Sequence, residues 1–290
     1  IPMTSSTKIL ILGTAGMLGN TLYRYFRDVT GHDVVGASRN PIYAPTMHQT
    51  ANAALVSGID VENIDSLVQL LNKYRPGTVI NCVGMIKQRD DADDPLTTLP
   101  INALLPHRLS QLCGLLGARL IHISTDCVFS GKKGMYAEND KPDADDLYGR
   151  SKLLGEVEAS HVVTLRTSLI GHELHSNKSL LNWFLSQTGK VLGYRRAIFS
   201  GLPTFEIARI IDQYVLTSPS LYGLTQVSAD PIDKFSLLSI INHVYGKAIE
   251  IQPDDKISID RSLDSSRFRK LTGYNPPSWN DLIAAMHEFK

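Results

Sequence analysis

Three glycines within seven residues, set directly after a short apolar run, constrain this chain more than any other feature. Lys8–Leu12 reads KILIL, the kind of run that forms a buried strand, and Gly13-Thr14-Ala15-Gly16-Met17-Leu18-Gly19 follows at once. Residues Gly16–Phe26 then carry the apolar spacing of a helix. Strand, glycine turn and helix in that order form the opening unit of a dinucleotide-binding sheet. Gly13 permits the tight turn, Gly16 lets the backbone approach a pyrophosphate, and Gly19 lets helix and strand pack closely. The helix amino terminus then faces the phosphates. The spacing is G-x-x-G-x-x-G rather than G-x-G-x-x-G, so the position between strand and helix carries the reading.

The rest of the first half keeps the same rhythm. Strands are expected at His32–Ala37, Thr78–Val83, Arg119–Ser124 and Val162–Arg166, and helices at Ile64–Tyr74, Ile101–Leu116 and Tyr148–Ala159. Short apolar strands alternating with helices predict an α/β fold, a doubly wound parallel sheet of the Rossmann type. After about residue 170 the alternation loosens. Helices are expected at Leu180–Gln187, Phe205–Leu216, Lys234–Tyr245 and Trp279–Phe289, and a strand at Tyr222–Val227. This predicts a dinucleotide-binding domain over 3–170, with a returning segment near 202–228, and a smaller α/β substrate lobe mainly over 171–290. Such a lobe would close a cleft where open sheets bind ligands.

Lys+Arg and Asp+Glu balance at 29 each, so no general field draws nucleic acid or an anionic membrane. No apolar run approaches the roughly 18 residues of a membrane span, and no signal peptide is read. Ile1-Pro2 ahead of Met3 read as a cloning remnant. Cys82, Cys113 and Cys127 are odd in number and form no C-x-x-C pair, which fits a reducing, cytoplasmic setting. No metal site is expected: His172-Glu173-Leu174-His175 lacks the i, i+4 histidines of a metalloprotease helix.

The second strand ends in Ser38-Arg39, where an NAD site usually carries Asp or Glu. An arginine there can bond a 2′-phosphate, so NADP(H) is the expected cofactor; the alternative is a solvated surface arginine. Asp60, Asn81 and Gly84 stand at the next strand ends, bordering adenine and ribose or serving as turn residues. Val61, Cys82, Val83, Asn102 and Ser124 complete the expected cofactor set.

The fifth strand delivers Ser124-Thr125-Asp126-Cys127 to its carboxyl end, and Tyr148-Gly149-Arg150-Ser151-Lys152 begins a helix after a loop. Tyr148 and Lys152, at i and i+4, share one helical face. An ammonium beside a phenol stabilises its ionised form, so the phenol can exchange a proton with a substrate oxygen. Nicotinamide exchanges hydride with the adjoining carbon. Thr125 would hydrogen-bond that oxygen.

These segments resemble the extended short-chain dehydrogenase/reductases, and within them the dTDP-4-dehydrorhamnose reductases. The resemblance rests on GTAGMLG at 13–19, ISTDCVFSG at 123–131, YGRSK at 148–152, LRTSLIG at 165–171 and SLDSSRF at 262–268. It implies that Thr125, Tyr148 and Lys152 are the catalytic trio, with Lys152 also on the nicotinamide ribose. It further implies reduction of a 4-keto, 6-deoxy sugar on a nucleotide diphosphate, supplying cell-surface polysaccharide. The chain departs from the family at Met85-Ile86-Lys87-Gln88, at GHELH (171–175) and at AIFSGLPT (197–204), which flank the expected sugar pocket.

Lys87, Asp126, Arg196 and Arg261 are the candidate substrate residues, with Arg195 considered beside them; planar guanidinium suits phosphate. The bland reading of these cations is a solvated surface. Cys127 reads as a packed small hydrophobe, Asp90–Asp94 as a solvated loop, and Trp183 and Phe184 as core. The expected partner is a nucleotide-linked sugar, with a homodimer open. Two rivals stand beside the reductase. One is an epimerase or dehydratase of the same superfamily, against which Asp126-Cys127 and Ser38-Arg39 speak. The other is a non-catalytic regulatory subunit, as in the methionine adenosyltransferase β subunit, which resembles the same family.

Overall fold

In a computed structural model, which describes residues 8–86 and 93–290, the KILIL run forms β1 (Ile9–Leu12), buried along its whole length. The glycine turn leads into α1 (Met17–Tyr25), and the alternation continues through β2 (Val34–Ala37), β3 (Ala53–Val56), α2 (Ile64–Tyr74) and β4 (Thr78–Asn81). Then come α3 (Pro95–Leu99), α4 (Leu105–Leu116), β5 (Arg119–Thr125), α5 (Leu147–Leu154) and β6 (Val162–Thr167). The chain divides into two units. The first holds Ile1–Ser124, Asp146–Leu165 and Ser220–Leu224; the second holds Thr125–Asp145, Arg166–Pro219 and Thr225–Lys290.

Most of a seven-stranded sheet lies in the first unit, in the order Gly223–Gln226, β6, β5, β4, β1, β2, β3. β1 pairs in parallel with β2 and β4, β2 with β3, and β4 with β5. This is the doubly wound parallel sheet expected from the sequence. Strands buried along their length need cover on both faces. Leu10, Leu12, Val35, Val79 and Leu120 pack with Leu67, Leu70 and Leu71 of α2 and Leu105 and Leu109 of α4. Each such leucine contributes about 1.5–3 kcal/mol of burial.

The second unit continues with β7 (Leu169–Ile170), α6 (Leu180–Ser186), β8 (Lys190–Phe199), β9 (Leu202–Pro203) and α7 (Thr204–Ile210). After β10 (Gly223–Gln226), the edge strand of the large sheet, come β11 (Ile232–Asp233), α8 (Lys234–Val244), β12 (Glu250–Asp260), α9 (Ser266–Thr272) and α10 (Trp279–Glu288). A three-stranded sheet runs β11, β8, β12. The β8/β12 register breaks between Asp254, opposite Tyr194, and Ser258, opposite Arg196, so residues 255–257 bulge out of the ladder. Leu181, Phe184, Leu237, Ile241, Ile283 and Met286 form this unit's core.

Several expected elements differ. The helix expected over Tyr148–Ala159 ends at Leu154 with Gly155 as its cap, and a methyl group on Gly155 would overlap the Asn102 carbonyl. The helix expected over Ile101–Leu116 begins earlier, as α3, and passes through a π turn at Pro100–Leu104 before α4. Pro100 and Pro106 have no N–H to give the regular ladder. The expected Phe205–Leu216 helix likewise changes to a π turn over Ile211–Val215. Phe184 is core as expected, but Trp183 is 37% exposed. Among the described residues no helix is long and apolar enough to cross a membrane.

Candidate functional site

The glycine turn closes on the start of the sheet. Gly13 adopts φ +91°, and a methyl there would lie 3.1 Å from the Cys82 carbonyl carbon and the Val83 nitrogen. A methyl on Gly19 would fall on the Gly13 carbonyl, so helix and turn can approach this closely only without a side chain. Gly13 and Thr14 N–H groups donate to Ala37 O, and the buried Thr14 hydroxyl joins them at 3.1 Å. Ala15 and Gly16 are exposed, Met17 is half-buried, and Leu18 is core. Gly16 N–H closes the turn on Gly13 O at 3.0 Å, so the exposed Ala15 and the first turn of α1 are the part able to receive an anion.

At the end of β2, Ser38 is buried and its hydroxyl donates to Asn40 O at 2.7 Å. Arg39 is exposed and lies 3.6 Å from Glu62. Asp60 accepts from Glu62 N in a turn, and Val61 is buried in the core beneath it. The serine hydroxyl is therefore engaged locally, whereas among the described residues the arginine side chain is held only by a weak surface pair.

Asp146 caps α5 by accepting from Gly149 N at 2.7 Å, which fixes where Tyr148 and Lys152 project. Lys152 is only 6% exposed, and its Nζ donates to Ile123 O at 2.7 Å. Burial lowers its ammonium from 10.5 to about 8, with Glu156 and Cys82 opposing that fall. The Ser124 hydroxyl donates to Glu156 at 2.7 Å. Tyr148, one helical turn before Lys152, is half-buried.

A buried network holds the ends of β4 and β5. Asn102 accepts from Met85 N at 2.9 Å and donates to Met85 O and to the Ser151 hydroxyl, tying the segment after β4 to α5. Asn81 accepts from Val83 N and hydrogen-bonds His122 Nδ1 at 3.2 Å. Burial, with Lys152 and His107, holds His122 well below the usual imidazole range, so it is neutral. Its Nε2 is buried without a partner among the described residues. The structure thus gathers Asn81, Cys82, Val83, Gly84, Asn102, Ser124 and Lys152 at one end of the sheet. Gly84 is exposed, with a hypothetical methyl 3.5 Å from Asn102 Oδ1. The Cys82 thiol is raised by burial. His122 was not among the sequence candidates; its signal was a polar residue inside the apolar run RLIHIS.

Thr125, Asp126 and Arg261 belong to the second unit. The Thr125 hydroxyl donates to Asp126 Oδ1 at 3.2 Å and accepts from Cys127 N. Burial raises the Asp126 carboxyl; Arg261 and hydrogen bonds from Cys127, Thr125 and Ser168 oppose that rise. Burial also pushes the Cys127 thiol up to about 12. Arg261 Nε donates to Phe129 O at 2.8 Å. Arg195 is paired with Asp255, and Arg196 is exposed in register with Ser258. Lys87 lies outside the described residues. His172 bonds the Tyr245 hydroxyl at 2.9 Å. Lys234, at the start of α8, was missed: it senses Asp126, Arg261 and Cys127, which lie far from it in sequence.

Residues 7–187, more than half of the chain, match the family described as RmlD substrate binding domain. A probable low-salt glycan biosynthesis reductase of Haloferax volcanii is 34% identical over 149 residues, 50% of this chain and 46% of that one. The methionine adenosyltransferase 2 subunit beta of Mus musculus is 27% identical over 151 residues, 52% of this chain and 42% of that one. The chain spans about half the length of the curated relatives it matches. Among solved structures, a dTDP-4-dehydrorhamnose reductase of Bacillus anthracis in complex with NADP superposes with a TM-score of 0.80, at 21% identity and over 100% of both chains. That likeness is one of fold.

Proposed function

This chain belongs to the RmlD substrate binding domain family, and from that premise we propose that it is an NADPH-dependent reductase of a 4-keto, 6-deoxy sugar carried on a nucleotide diphosphate, supplying cell-surface polysaccharide. The observation that carries the reading is the Lys152 ammonium, buried, fixed on Ile123 O and one helical turn from Tyr148.

The residues present fit the nucleotide. The exposed Ala15, the first turn of α1 and the absence of a side chain at Gly19 leave a cradle at the α1 amino terminus. Arg39 is exposed at the end of β2, where a 2′-phosphate would meet it. When bound, the cofactor supplies the hydride. The chain's own residues supply the proton: the Tyr148 phenol gives it to the carbonyl oxygen as the adjoining carbon is reduced. Lys152 favours the phenolate that remains, because a positive charge beside a phenol stabilises its ionised form. Asn102 holds the segment after β4 against α5 and so keeps Lys152 aligned. From sequence order, Thr125 is the residue that orients the substrate oxygen.

The test is NADPH oxidation, followed at its absorbance band, with a panel of nucleotide-linked 4-keto sugars. Substrate-dependent loss of signal is expected. NADPH binding without turnover across the panel, together with capture of a catalytic partner, would instead favour a regulatory subunit, the reading suggested by the match to the methionine adenosyltransferase subunit.

A further inference from the structure

Among the described residues, two cations of the second unit lie within electrostatic reach of Asp126 and have no carboxylate of their own. The segment after Asp126 lies along the end of β12: Asp260 N donates to Gly131 O at 2.8 Å, and Arg261 Nε donates to Phe129 O at 2.8 Å. A methyl on Gly131 would crowd the Ile259 and Arg261 side chains. Across β8, Ile198 is in register with Asp260 of β12 on one side and Asp233 of β11 on the other. β11 runs antiparallel and β12 parallel to β8, so Lys234 and Arg261, each one residue further on, leave the flanking strands on either side of Ile198 in opposite directions along β8.

The neighbouring carboxylates are engaged elsewhere. Asp233 caps α8 through Ser236 N and Oγ, and Asp260 accepts from Ser262 N. Among the described residues, neither Lys234 nor Arg261 has a carboxylate within salt-bridge reach. Lys234 is half-buried, and burial holds its ammonium below the usual lysine range despite Asp126 and Cys127. Arg261 and Lys234 both feel Asp126, a carboxyl whose own ionisation burial opposes. A partly buried surplus of positive charge is costly until an anion joins it. Thr125 donates to the same Asp126 carboxylate at 3.2 Å, which links the carboxyl these cations feel to the hydroxyl assigned to the substrate oxygen.

Resting on the reductase reading, we propose that Lys234 and Arg261 together receive an anionic oxygen group of the nucleotide-sugar substrate, beside the Thr125–Asp126 turn. The planar guanidinium can grip two oxygens, and the ammonium adds a point charge. Such oxygens are supplied by the diphosphate or by a carboxylate on the sugar.

The experiment compares the full chain with Lys234→Met, which keeps the aliphatic stem, and Lys234→Arg, which keeps the charge. Calorimetric titrations use uridine diphosphate, thymidine diphosphate, UDP-glucose and UDP-glucuronate, with circular dichroism melts to show that each variant is folded. Lys234→Met should weaken at least one of these probes about tenfold, and Lys234→Arg should recover most of the loss. Loss with the free nucleoside diphosphates points to the diphosphate as the anion; loss with UDP-glucuronate alone points to a sugar carboxylate. Folded Lys234→Met that binds every probe within twofold of the parent overturns the inference and leaves the reductase reading intact. A parent chain that binds none of the probes overturns both.

Discussion

Replacing Lys152 with methionine should make the stability of this protein respond to pH in a way that isolates one buried ammonium. In the folded chain Lys152 titrates at about 8, against 10.5 for an unhindered lysine, chiefly because burial opposes its charge. Between those values the unfolded chain binds more protons than the folded one, so the stability of the parent rises with pH across that window. Below about pH 8 the cost of burying the charge is fully present. The fall from 10.5 to about 8 corresponds to about 3 kcal/mol, at 1.36 kcal/mol per pH unit. Methionine fills nearly the same volume without a charge, and it leaves Ile123 O without its donor, a loss of about 1–3 kcal/mol that does not vary with pH. Urea unfolding of both proteins, followed by circular dichroism from pH 7 to 10.5, should therefore show the parent gaining about 3 kcal/mol relative to the variant, with most of the change above pH 8. Titrating groups outside the reach of the Lys152 charge cancel in the difference; His122, Glu156 and Cys82, which feel it, do not. A gap that stays constant with pH would refute the assignment of a buried, depressed Lys152.

Other perturbations test neighbouring links. Gly19→Ala should cost at least about 1–3 kcal/mol and abolish NADPH binding, because the new methyl meets backbone and no rotamer can yield; a variant that melts and titrates like the parent would contradict the close approach. Arg39→Ala should weaken NADPH about tenfold or more while leaving NADH within twofold, since only a weak exposed pair with Glu62 is lost in the free protein. Equal losses for both cofactors would remove the 2′-phosphate role. Tyr148→Phe should lower kcat by about 10²–10⁴ with NADPH affinity unchanged, measured by turnover beside fluorescence titration.

The parallel sheet was legible because its strands are short and almost wholly apolar, and because the glycine turn can sit only between strand and helix. β8 and β12 were not legible for the opposite reason. They alternate buried and exposed positions or lie mostly in solvent, and β12 carries Pro253 and a run of acids that depress strand propensity. The π turns leave no mark in the apolar periodicity; Pro100 and Pro106 signal a break in the ladder at the first, whereas Ile211–Val215 carries no such residue. At the candidate site, the Tyr148/Lys152 spacing could be read directly, whereas the work of Asn102 depends on Met85 and Ser151 arriving from two other segments. Lys234 was unreadable on similar grounds. A lysine at a helix start looks like a surface residue until folding brings residues 126 and 261 within electrostatic reach of it.

The bulge in β12 has a consequence for how this unit tolerates change in chain length. Pairing with β8 is regular up to Asp254 and resumes at Ser258, so residues 255–257 lie outside the ladder and set no register on either side. Lys256 and Ile257 are exposed, and Asp255 reaches only to Arg195 at the surface. A few residues gained here would lengthen a surface loop at small entropic cost and leave both halves of the ladder paired as before. This makes the bulge a natural splice point in β12, where a reporter peptide could be carried in the middle of a strand.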